Sequence, residues 1–290
     1  MFQGCLTALV TPFRRGDIDH AALAELVERQ IAGGINGLVP CGSTGEAATL
    51  THDEHVEVVR AVVRVARGRV PVVAGTGSNS TAEAVRLTKG AEEAGADGAL
   101  LISPYYNKPT QAGIVQHFEA VAAATKLPLL VYNIPGRTAS NLLPETLVRL
   151  SRVRNIVGVK EASGSMAQIQ DVIAGAPDFA VFSGDDLMTL PVVAAGGRGV
   201  IAVTSNVAPK EMVAVTEALL ANDMPTARAR WYELLPLIRP LNTLEVNPLP
   251  VKTALAMMGL CAEEFRLPLT PMTPATRAAL ESVLRERRLV

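Results

Sequence analysis

Eight short apolar runs, each continuous rather than alternating, recur along the chain and limit what it can fold into. They begin near Cys5, Ile35, Val70, Asp97, Pro128, Asn155, Phe179 and Arg198 and are rich in Val, Ile and Leu. A strand apolar at every position is covered on both faces, as in a parallel sheet flanked by helices. Helical patterns fill the intervals. Residues 19–32 carry apolar side chains at helical spacing and stop at Gly33-Gly34, a C-cap signal. Thr51 with Glu54 reads as a capping box, and Ser80 with Glu83 and Ser165 with Gln168 repeat the signature. Eight strands alternating with helices over about 220 residues predict an α/β fold, a (β/α)8 TIM barrel. An open doubly wound sheet built around a nucleotide fits less well. Gly75-Thr76-Gly77 lacks a third glycine, and Gly42-Ser43-Thr44-Gly45-Glu46 lacks a Gly-Lys-Ser/Thr ending.

After Asn222 the strand runs stop. Residues 225–238, 249–258 and 274–288 read as helices separated by prolines. The expected organisation is a barrel over residues 1–222 and a C-terminal helical appendage over 223–290.

The formal net charge of −1, with no basic block, argues against nucleic acid or an anionic membrane surface as partner. Mean hydropathy is high at +0.26, yet no apolar run approaches the roughly 18 residues of a membrane span. The first 13 residues lack a basic segment and reach Pro12 early, so no signal peptide is expected and the protein reads as cytoplasmic. Three widely spaced cysteines, Cys5, Cys41 and Cys261, form neither a disulfide framework nor a CxxC motif. His52 and His55 share a helical first turn, but no third ligand accompanies them, so no metal is expected.

In such a barrel, chemistry sits where strands end. Of six lysines only Lys160 ends a strand run, and Glu161 follows it. Desolvation there would lower its pKa, and the free amine could form a Schiff base with a ketone. A lysine paired with Glu161 or Asp185 is the competing reading. Tyr132 ends the preceding run and could shuttle protons beside Lys160 or simply cap the core. Arg137 follows in a Pro-Gly turn, placed to grip a carboxylate or to serve as an ordinary surface charge. The 42–46 loop, with Ser43 and Thr44, is either a small anion cradle or a turn. Tyr105-Tyr106, after the fourth run, fit an interface better than chemistry.

Taken together, these motifs resemble the dihydrodipicolinate synthase family of class I pyruvate-dependent aldolases, within the N-acetylneuraminate lyase superfamily. The carriers are Gly42-Ser43-Thr44-Gly45-Glu46, Ser103-Pro104-Tyr105-Tyr106-Asn107, Tyr132-Asn133-Ile134-Pro135-Gly136-Arg137-Thr138, Gly158-Val159-Lys160-Glu161-Ala162 and Ser183-Gly184-Asp185-Asp186. The likeness extends through Pro271-Met272-Thr273, nearly the whole chain.

The resemblance implies a reaction between pyruvate and L-aspartate 4-semialdehyde giving 4-hydroxy-tetrahydrodipicolinate, on the diaminopimelate route to lysine. It implies a pyruvate imine on Lys160 and no separate cofactor. It assigns proton relay to Tyr132, Ser43 and a Tyr106 reaching across from a neighbouring subunit, so a homodimer is the minimal unit and a homotetramer the usual assembly. Thr44 would hold the pyruvate carboxylate, Arg137 would take the carboxylate of the second substrate, and the Ile201 carbonyl would line the site. Feedback inhibition by L-lysine is implied at Ala47, Ala48, His52, His55, Asn79, Glu83 and Tyr105. Ser43 departs from the threonine most of these synthases carry and lacks the methyl that fixes the rotamer. Serine there also occurs in N-acetylneuraminate lyases, but sugar-acid aldolases generally lack an arginine at the position of Arg137. A sugar-acid or hydroxy-oxo-acid aldolase and a non-catalytic keto-acid-binding barrel are the competing functions.

Overall fold

The computed structural model describes residues 2–290. Each of the eight apolar runs contains a strand: β1 (Gly4–Ala8), β2 (Gly37–Val39), β3 (Val73–Gly75), β4 (Gly98–Ile102), β5 (Leu129–Asn133), β6 (Ile156–Glu161), β7 (Ala180–Ser183) and β8 (Gly199–Ala202). All pair in parallel, in the order β2-β1-β8-β7-β6-β5-β4-β3. A parallel bridge between Leu38 and Val72, with the Leu38 N–H donating to the Pro71 carbonyl at 2.9 Å, joins β2 to β3. The sheet is thus a (β/α)8 barrel.

Alternation is present although both strand faces are apolar. Leu6, Val39, Val73, Leu100, Leu130, Tyr132, Phe182 and Ile201 form one buried cluster inside the barrel. Their chain neighbours Cys5, Leu38, Val72, Ala99, Val131, Val181 and Val200 belong to the clusters beneath the helices. This double burial is why the runs read as continuous.

Eight helices follow the strands: α1 (His20–Ala32), α2 (His52–Ala66), α3 (Thr81–Glu93), α4 (Gln111–Ala123), α5 (Pro144–Leu150), α6 (Met166–Gly175), α7 (Thr189–Ala194) and α8 (Pro209–Leu220). Of the three expected capping boxes only Thr51–Glu54 is complete. Ser80 and Ser165 do accept from the N–H groups of Glu83 and Gln168. The Glu83 carboxylate, however, turns to His52 and Ser78, and the Gln168 amide turns to Glu161 and the Leu142 carbonyl. Side-chain and carbonyl partners outside the helix take these groups in place of the local N–H.

Three more helices end the chain: α9 (Met224–Thr243), α10 (Leu249–Met257) and α11 (Pro274–Glu286). The first runs past residue 238, through Pro236 and Pro240. A proline removes one N–H donor, and burial of Leu234, Leu237, Ile238 and Leu241 in the cluster that also holds β1 and β8 residues compensates. No helix among the described residues is long and apolar enough to cross a membrane.

Candidate active site

Lys160 and Tyr132 are register partners on β6 and β5, at the carboxyl ends of their strands. Lys160 has the inward parity of Gly158, so its side chain enters the barrel mouth. Its ammonium nitrogen lies 4.5 Å from the centre of the Tyr132 ring, and the residue is 5% exposed. Glu161 has the opposite parity. Its carboxylate accepts from Asn133 Nδ2 at 3.0 Å, Gln168 Nε2 at 3.2 Å and the Ser163 N–H at 2.6 Å, on the helix side of the sheet. Asp185 caps its own turn by accepting from the Leu187 N–H at 2.9 Å. Neither carboxylate pairs with Lys160, which forms no ion pair among the described residues. The paired-lysine reading therefore does not hold.

Burial pulls the Lys160 pKa from 10.5 down to about 8; the Asp186 charge opposes this and Arg137 adds to it. Burial also pushes the Tyr132 phenol above its ordinary value, so it remains a proton donor at neutral pH. Space for the amine depends on Gly184: a Cβ there would lie 3.0 Å from Lys160 Cγ and 2.8 Å from the Ala162 Cβ.

The loop after β2 closes one side of the mouth. Its Gly45, Glu46 and Ala47 N–H groups turn back onto the carbonyls of Gly42 and Ser43. Only the first part of the loop, Ser43 and buried Thr44, is therefore available to an anion. The expected cradle is correspondingly narrower than the full glycine-to-glycine stretch. Thr44 Oγ1 accepts from Asn247 Nδ2 at 3.0 Å, and the carbonyl of the same Asn247 accepts from Arg137 Nη2 at 2.9 Å. Arg137 sits on a single helical turn, Pro135–Thr138, just beyond β5. Asn247, with its buried Oδ1 unpartnered, was not singled out in the sequence. Its only signal is an Asn ahead of a proline between two helical stretches. Ile201 is fully buried on β8, opposite Leu6 of β1.

Tyr105 is 37% exposed and Tyr106 is 87% exposed, the latter held at φ 73° on the loop after β4. The Tyr106 phenol thus projects outward rather than into the barrel.

A second polar group lies outside the mouth. His52 Nε2 is 2.5 Å from Glu83 Oε1, and Ser78 donates to the other Glu83 oxygen. These contacts hold the Glu83 carboxyl below its ordinary value. His55 is buried, with Nδ1 unpartnered and its pKa lowered to about 4 by desolvation, so it is neutral. Asn79 accepts through its carbonyl from Asn107 Nδ2 at 2.9 Å, which links this cluster to the Tyr105-Tyr106 loop. Ala47 and exposed Ala48 lie on the short turn before α2.

A parallel barrel with an unpaired, desolvated lysine at its mouth defines a class: barrels equipped to bond a carbonyl compound through an amine. The model of the Dihydrodipicolinate synthetase family matches residues 1–287, and the chain belongs to that family. A relative from Syntrophus aciditrophicus, named 4-hydroxy-tetrahydrodipicolinate synthase, is 53% identical over the full length of both chains. The chloride-inhibited dihydrodipicolinate synthase of Acinetobacter baumannii, solved with pyruvate, superposes with a TM-score of 0.98 at 44% identity, covering all of both chains. The enzyme of Cyanidioschyzon merolae, solved with lysine bound, gives 0.96 at 39% identity, covering 100% of this chain and 99% of that one.

Proposed function

We propose that the protein condenses pyruvate with L-aspartate 4-semialdehyde to 4-hydroxy-tetrahydrodipicolinate through an imine on Lys160. The observation that carries this reading is a buried lysine with no carboxylate partner, its pKa pulled down to about 8, against a tyrosine at the mouth of a parallel barrel. The free amine adds to the pyruvate ketone, and loss of one water gives the imine. Loss of a methyl proton gives an enamine, whose carbon bonds to the aldehyde carbon of the second substrate. That substrate's own amine then displaces Lys160 by transimination, which closes the ring and frees the enzyme. Tyr132 donates and recovers protons beside the imine, with the Ser43 hydroxyl and the Tyr106 phenol of a second copy of the chain completing the relay. Thr44 and the Ser43–Thr44 N–H groups receive the pyruvate carboxylate, close to Ile201, and Arg137 receives the carboxylate of the aldehyde. No further cofactor enters the sequence of steps.

The high exposure of Tyr106 supports a dimer as the minimal catalytic unit, with pairing of dimers into a tetramer as the full assembly. The His52–Glu83–Ser78 group, beside Ala47, Ala48, His55, Asn79 and Tyr105, supports feedback inhibition by L-lysine: Glu83 offers a carboxylate to a cationic ligand. A steady-state assay with pyruvate and aspartate semialdehyde, with and without L-lysine, tests both parts. Turnover that falls on adding lysine is expected. No condensation would overturn the enzymatic reading, and condensation insensitive to lysine would overturn the regulatory one alone.

A further inference from the structure

A second lysine is buried more deeply than Lys160. Lys252, on α10, and Glu46, at the end of the loop that carries Ser43 and Thr44, form an ion pair of 2.6 Å with both side chains 0% exposed. Phe13 and Phe265 seal the ammonium, their ring centres 4.1 and 5.2 Å away. The other Glu46 oxygen accepts from the Arg266 N–H at 3.2 Å. Two charges taken fully out of water are a poor source of stability, since an apolar pair of similar size often serves as well or better. What such a pair does supply is a single geometry.

The geometry it fixes is that of the 43–46 loop. Glu46 itself sits in the left-handed region at φ 53°, a conformation rare outside glycine and held by its surroundings. Five residues before Lys252, Asn247 donates to Thr44 and accepts from Arg137. Arg266 also reaches beyond Glu46, donating to the Thr49 carbonyl at 3.1 Å and pairing with Glu54 at 2.6 Å. The C-terminal segment thus grips the loop at Thr44, Glu46 and Thr49.

We propose that the buried Lys252–Glu46 pair positions the pyruvate-carboxylate loop, so that α10 sets the placement of Ser43 and Thr44 at the barrel mouth. Both are positioning residues; neither meets substrate. The proposal rests on the reading that Lys160 and Thr44 bind pyruvate, and its test separates the two. Glu46→Asp retracts the carboxylate by one methylene while tolerating the left-handed backbone. The double variant Glu46→Gln/Lys252→Met removes both charges at nearly constant shape and guards against a single variant that fails to fold. Intact wild-type and variant proteins are treated with borohydride over a range of pyruvate concentrations, with thermal melting measured alongside. In both variants the pyruvate concentration for half-maximal trapping is expected to rise on the order of tenfold or more. The pH midpoint of trapping stays that of wild type, because Lys160 is untouched, and the double variant melts close to wild type. Variants that fold and trap pyruvate within twofold of the wild-type half-saturation overturn the positioning proposal alone. Wild type that traps no pyruvate overturns the Lys160 reading, and the proposal with it.

Discussion

Lys160 lies over the Tyr132 ring with no ion-pair partner, whereas Lys252 is locked to Glu46 at 2.6 Å. Burial lowers the pKa of each, but at Lys252 the Glu46 charge acts against it. The Lys160 change, from 10.5 to about 8, penalises the charged amine by roughly 3 kcal/mol. The rate of imine formation with pyruvate should rise with pH through about 8 and level off above it, as the free amine becomes the main form. Stopped-flow or trapping rates across pH 6–10 check it. Lys160→Met should melt higher than wild type at pH 7, where the folded wild type still holds a buried charge. The gap should narrow as pH rises from about 8 to 10.5, because in that window the folded wild type has already released the proton that its unfolded chain still binds. Lys160 was legible because a lysine ending an apolar run must point somewhere, and the period of two sends it inward. Lys252 was not: its partner is 206 residues away, and its proline-led helix looks like any other.

Elements decide which side chains can meet. The pairing of β5 with β6 places Tyr132 opposite Lys160, and the turn after β7 must pass close to Lys160. There Gly184→Ala would press a methyl to 3.0 Å from Lys160 Cγ. Activity is expected to fall at least tenfold, with a smaller change in melting temperature than in the imine-forming rate. The turn after β5 carries Arg137, and its loss should act chiefly on the aldehyde, since Arg137 is the smallest of the influences on the Lys160 pKa. Arg137→Ala is expected to raise the KM for the aldehyde on the order of a hundredfold through the lost carboxylate contact, while pyruvate trapping stays near wild type. Steady-state kinetics with each substrate varied in turn distinguishes the two. The strands could be read from run length, and α1, α2, α3 and α6 from helical period and capping residues. Two capping boxes could not, because Glu83 and Gln168 face partners 31 and 7 residues away. The extent of α9 was hidden by Pro236 and Pro240, whose cost is met by burial that only the folded chain shows.

The whole molecule adds two features that no single element carries. Tyr106 faces outward at 87% exposure, so the catalytic part proposed for it requires a second copy. Tyr106→Phe should lower turnover by about 10- to 100-fold while leaving imine formation on Lys160 largely intact. Loss of trapping in that variant would assign the tyrosine another role. Acid sensitivity is the other feature. His55 and His117 are buried and neutral, each with a pKa lowered from 6.5 to about 4 by desolvation. The unfolded chain binds their protons first, so stability should decline as pH falls from about 6.5 towards 4, readable as a falling melting temperature. The barrel itself was legible from eight runs and their spacing. The grip of the C-terminal helices on the loop after β2 was not, since it joins Asn247, Lys252 and Arg266 to residues some two hundred positions earlier.

Of the two buried lysines, Lys160 and Lys252, the proposed nucleophile is Lys160. Borohydride reduction in the presence of pyruvate, followed by tryptic mass mapping, tests it most directly. The expected result is a single reduced pyruvate adduct on the peptide containing Lys160, with Lys252 unmodified. No adduct, or an adduct on Lys252 instead, would contradict it.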